Sequence, residues 1–144
     1  MPKAKTAAAA MQPTVCEQYV ADNPEVLSGF TLAITGSELA VLRVRACRGP
    51  VRVLVKIDRA AGGAQRTIAD ATDITDGWRD ISLQVFGTLT RGQAYVLVWV
   101  VDGPADDWQL VSELTLDGTV HYRHLKKKRP GIMNAEILNV LVRP

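Results

Sequence analysis

The chain has 144 residues and a formal net charge of +2; 47% of its residues are hydrophobic and 22% charged. That length suits one domain with a real core, and the composition excludes global disorder. The apolar run around Val96–Val101 falls far short of the about 20 residues a membrane-spanning helix needs.

In chain order, residues 1–29 differ from the rest. Lys3, Lys5 and the run Ala7–Ala10 are followed by Met11, Gln12 and Pro13. The apolar stretch is too short for a secretory signal, so the segment reads as an N-terminal arm. Pro13 and Pro24 favour an extended path. Cys16 lies in this arm and Cys47 near the end of an expected strand, at a spacing that matches no metal or CxxC motif. Two reduced, half-buried thiols are the plain reading, and a disulfide pinning the arm to the body is the alternative.

From residue 30 the pattern has period two. Val51, Val53, Val55 and Ile57 alternate with Arg52, Leu54 and Lys56, and Ile81, Leu83 and Val85 with Ser82, Gln84 and Phe86. Strands are expected at 30–35, 39–47, 51–58, 64–69, 79–86, 94–102, 107–116, 118–124 and 134–142. Ala94–Val101 is apolar on both faces and reads as a central strand covered on both sides. Asp117-Gly118 is the strongest hairpin signal. Residues 134–142 also fit a helical stripe through Ile137, Leu138, Leu141 and Val142. The expected fold is an all-β antiparallel sandwich, jelly-roll or Ig-like, of about eight strands over residues 30–144.

Reactive groups are sparse. His121 and His124 stand three apart on an expected strand, which suits opposite faces rather than a metal site. No nucleophile elbow, phosphate loop, HExxH or dinucleotide fingerprint occurs. Asp70, Asp73 and Asp76, and Asp102, Asp106 and Asp107, lack calcium-loop spacing and read as turn residues. The expectation is a non-enzyme without cofactor or metal.

Charge placement says more. Residues 1–29 carry two bases against three acids, residues 30–124 ten against eleven, and residues 125–144 five against one. Lys126, Lys127, Lys128 and Arg129 form a basic run that reads as a solvated turn contacting an acidic neighbour. Without interleaved aromatic residues, nucleic acid is not the expected partner. Arg43, Arg45, Arg48, Arg52, Lys56 and Arg59 fall in one expected hairpin, with Asp70, Asp73, Asp76 and Asp80 supplying the opposite sign elsewhere. Such patches suit self-association or intrachain pairing. Trp99 reads as core, whereas Trp78 and Trp108 follow turns and suit either a sugar platform or a plug at the end of the core.

An Ala-rich arm, one β-sandwich and a basic loop resemble the layout of small accessory proteins of tailed-phage virions, the capsid decoration proteins and tail or baseplate adaptors. The resemblance implies a structural role in the virion, assembled in the host cytoplasm. The partners it implies are protein subunits such as major capsid or tail proteins, with the chain oligomeric or lattice-bound. The expected partner-binding residues are Lys3, Lys5, Met11 and Tyr19 of the arm, Arg43, Arg45, Arg52 and Lys56, and Lys126–Arg129. The rival expectation is a lectin-like module using Trp78 and Trp108.

Overall fold

A computed structural model describes residues 12–27, 31–63 and 65–144. Lys3, Lys5 and Met11 lie outside them. One helix and nine strands are described: α1 (Val15–Asp22), β1 (Leu32–Ile34), β2 (Ala40–Cys47), β3 (Val51–Arg59), β4 (Arg66–Ile74), β5 (Arg79–Ser82), β6 (Ala94–Asp102), β7 (Gln109–Leu116), β8 (Thr119–Lys127) and β9 (Asn134–Val142). They form two packed sheets, ordered β1-β9-β6-β3-β4 and β5-β2-β7-β8. Every pairing is antiparallel except that of β1 with β9.

The core follows from the period-two pattern. Val51, Val53, Val55 and Ile57 of β3 and Leu97, Trp99 and Val101 of β6 point inward. They meet Leu42 and Val44 of β2 and Leu110 and Leu114 of β7. Burying an aliphatic side chain of this size stabilises the fold by roughly 1.5–3 kcal/mol. Residues 134–142 are a strand, not a helix: Leu138, Val140 and Val142 face the core while Ile137 and Leu141 face out. Pairing with both β6 and β1 settles the ambiguity of that stripe. Asp117 (φ 51°) and Gly118 (φ 82°) make the expected tight turn between β7 and β8. Positive φ at both positions is what a type I′ hairpin requires.

Four expectations change. The strand expected over 79–86 stops at Ser82, and Gln84–Thr88 coils into a short 3₁₀ helix that buries Phe86. The basic Arg43–Arg59 hairpin does not exist, because β2 and β3 belong to different sheets. The turn at Arg48-Gly49-Pro50 carries the chain across the sandwich, so Arg43 and Arg45 end on one outer face and Arg52 and Lys56 on the other. The basic run is only half a turn, since β8 continues through Lys127.

The fourth concerns the arm. Residues 13–24 are not extended: Thr14 caps α1 through its hydroxyl and the Glu17 backbone N–H, while the Glu17 carboxylate accepts from the Thr14 N–H. This reciprocal box satisfies two otherwise free donors and starts the helix between the two prolines. Cys16 and Cys47 are joined in a disulfide, the alternative to the reduced pair. Val26 then bridges to Arg123 along the edge of β8.

Candidate functional site

The sandwich has two outer faces, and the sequence treats them differently. On the four-stranded sheet, the outward residues of β7 are Gln109, Val111, Glu113 and Thr115, and all are buried. The cover is the N-terminal segment. Cys16, Cys47 and Val111 form a small second core with Tyr19, Val20, Trp78 and Leu125 around it. Beside it the Glu113 carboxylate, 1% exposed, accepts from Tyr19 Oη at 2.5 Å, Arg123 Nε at 2.5 Å and Arg43 Nη1 at 3.4 Å. A buried carboxylate is tolerable when it is paired and fully hydrogen-bonded, as this one is. Burial and the neighbouring Glu113 push the Tyr19 phenol up.

The rim of this cover is also charged. Lys127 Nζ lies 2.8 Å from the Glu17 carboxylate, and His124 Nδ1 pairs with Glu25. The Lys127 ammonium, with the Thr14 backbone N–H, holds the Glu17 carboxyl down to about 2. Stabilisation from a depressed carboxyl is complete above its unfolded value and is lost as pH falls through the folded one. The cover is therefore expected to loosen as pH falls from about 4.5 towards 2, read by hydrogen exchange of the α1 amides. Glu17→Gln is expected to flatten that dependence.

The expected binding residues are thus largely engaged within the chain. Tyr19 and Arg43 hold Glu113, and Arg43 also reaches Asp80 at 3.2 Å. Arg52 makes a two-pronged pair with Asp70, at 2.8 and 2.7 Å. Lys127 holds Glu17, and Lys128 Nζ lies 3.4 Å from Asp106. Lys126 pairs with Leu110 in the sheet, and Arg129 follows the end of β8 with its backbone N–H on Asn134. Asp70 and Asp80 pair with the chain's own arginines, the intrachain alternative of the two expected.

The tryptophans offer no open platform. Trp108 is 1% exposed and sits in the core, the plug rather than the sugar platform of the two expected roles. The half-buried Trp78 lies edge-on to Tyr19, their ring centroids 5.1 Å apart, with the Arg43 guanidinium 4.6 Å from its ring centroid. Its rings therefore complete the cover of the four-stranded sheet. Two clefts sit at opposite ends of β3. One of about 490 Å³ is lined by Arg59, Arg66, Thr90 and Tyr95, the other of about 450 Å³ by Arg52, Asp73 and Asp102. Neither gathers His121 or His124, which stand on β8.

The five-stranded sheet is the opposite case. Its outward residues include Leu54, Val96, Val98, Val100, Ile137 and Leu141, in adjoining strands. Ile137 is 65% and Leu141 38% exposed, and the three valines are half-buried by their neighbours in the sheet. Among the described residues β6 is therefore covered on its inner face only, which corrects the expectation of cover on both sides. Lys56 and Asp58 of β3 stand on the same outer face, two residues apart.

Two packed sheets with one short helix define an all-β sandwich protein. No family model, curated protein or solved structure matches the chain. No helix among the described residues is long and apolar enough to cross a membrane.

Proposed function

We propose that the chain is a non-enzymatic structural protein that binds and stabilises a larger assembly, of the kind that decorates a phage capsid. The observation that supports this is the contrast between its outer faces. One is sealed by the chain's own N-terminal segment through a disulfide and a buried carboxylate. Among the described residues the other leaves Ile137 and Leu141 exposed beside half-buried valines. Contiguous exposed apolar surface rimmed by polar groups marks an interaction site. Disulfides persist on secreted proteins and virion surfaces, and the Cys16–Cys47 bond fits work outside a reducing cytoplasm. A protein that binds only the assembled lattice stabilises it by mass action.

Within the sandwich class we favour the Ig-like over the jelly-roll arrangement. Five pairings, β1–β9, β2–β5, β2–β7, β3–β6 and β6–β9, join strands that are not consecutive, three in the five-stranded sheet and two in the other. The succession β9-β6-β3-β4 suits the G-F-C-C′ order of an Ig-like sheet.

The test is density-gradient fractionation of a lysate from cells that make the chain. It is expected to band with large particles and to remain with them in 1 M salt, because apolar contacts are not screened. Recovery wholly at the top of the gradient overturns the reading.

A further inference from the structure

We propose that the open face of the five-stranded sheet is a dimer interface, occupied by the same face of a second copy of this chain. The inference rests on the assembly reading above and names the neighbour. Its first support is size. Strands about 4.8 Å apart, rising about 3.3 Å per residue, give the four nine-residue strands and the three-residue β1 a plan area of roughly 600 Å². That reaches the lower end of the about 600–1,000 Å² per partner that specific interfaces bury.

Its second support is self-complementarity. Ile57, Leu97 and Leu138 lie side by side across β3, β6 and β9. A two-fold axis between the sheets, crossing the strands at this level, lays each strand antiparallel on its own copy. Val98 then lies over Val96 of the second copy, Val100 over Ala94, and Leu141 over Ala135. Val100 and Leu141 each meet an alanine, the interdigitation that face-to-face sheets about 10 Å apart need. Lys56 of each copy lies over Asp58 of the other. This lysine lies between Val98 of β6 and Thr67 of β4 and has no ion-pair partner among the described residues. A two-fold contact repeats each such pairing twice, so a Lys56–Asp58 contact forms in both directions across the axis. Asn139 shares the face and lies over Ile137 of the second copy in the same register.

Sedimentation velocity of the full chain from 5 to 100 µM tests this. The wild type is expected at about twice 15.7 kDa in the upper part of that range. Ile137→Glu, at a site 65% exposed in the single chain, is expected to give a folded monomer with unchanged circular dichroism. Leu141→Lys is the second variant, should the first fail to fold. Lys56→Asp is expected to weaken pairing at least tenfold, and the exchange Lys56→Asp with Asp58→Lys to restore it. A wild type that stays monomeric at 100 µM overturns the proposal, as does a dimer that survives both Ile137→Glu and Leu141→Lys. A dimer indifferent to Lys56→Asp overturns the two-fold register. A monomer that still bands with large particles defeats the pairing but not the assembly reading. A dimer recovered only at the top of the gradient defeats the assembly reading alone.

Discussion

Replacing Cys16 and Cys47 together by alanine is expected to lower the unfolding free energy by roughly 3.5 kcal/mol. The figure follows from loop closure. The disulfide spans 31 positions, and in the chain-entropy model cross-linking a loop of that length removes about 3–4 kcal/mol worth of freedom from the unfolded chain. The folded state adds to this. The bond ties α1 to the end of β2 directly above Val111, and the Tyr19–Glu113 and Lys127–Glu17 contacts depend on that placement. Once the tie is cut, residues 12–27 keep only their capping box, their side-chain contacts and the Val26–Arg123 bridge. Urea unfolding should show a lower midpoint with a similar slope, and hydrogen exchange should open α1 before the strands. Reduction of the wild type should reproduce the variant. An unchanged midpoint would show that the segment is held by its side-chain contacts alone.

The sandwich itself was legible because a strand's period of two is local. Alternation at Val51–Ile57 or Asp117-Gly118 between two strands needs no knowledge of the rest of the chain. Sheet membership is not local. Alternation looks the same whether β2 and β3 pair or cross between sheets, so the arginine-rich hairpin was inferred from sequence adjacency that the fold does not honour. The N-terminal cover was hidden for the same reason. Tyr19 meets Glu113 and Glu17 meets Lys127 across 94 and 110 positions. One local signal was present: Thr14 followed three residues later by Glu17 is a capping box, which outweighs the extended bias of the flanking prolines. Ala94–Val101 is apolar on both faces, which predicts cover on both sides of β6; among the described residues only the inner side has it, because alternation records which faces are apolar and not what lies over them.

Glu136 is the residue the pattern concealed most completely, and it carries the second large prediction. It occupies an inward position of β9, 5% exposed, where alternation calls for an apolar side chain. Its carboxylate accepts from Trp99 Nε1 at 2.6 Å, Ser112 Oγ at 2.8 Å and Tyr122 Oη at 2.7 Å, so one group joins β6, β7, β8 and β9 across both sheets. Glu136→Ala leaves those donors without this acceptor, at about 1–3 kcal/mol for each one left unsatisfied, and opens a void. A loss on the order of 4 kcal/mol in urea unfolding is expected. Burial pushes the Glu136 carboxyl up against the lowering effect of its three hydrogen bonds. The folded state then holds this proton to higher pH than the unfolded chain does. Stability from the group is complete below the ordinary carboxyl value, falls as pH rises through the raised one, and is level above it. Glu136→Gln keeps an oxygen for the donors and removes the titration. The difference between wild type and Glu136→Gln should therefore move in the variant's favour from pH 4 to pH 8. The Glu17 effect runs in the opposite direction and lies at lower pH, so the two separate along one titration. A difference independent of pH would mean that Glu136 keeps one protonation state throughout, and that its hydrogen bonds rather than its burial set its chemistry.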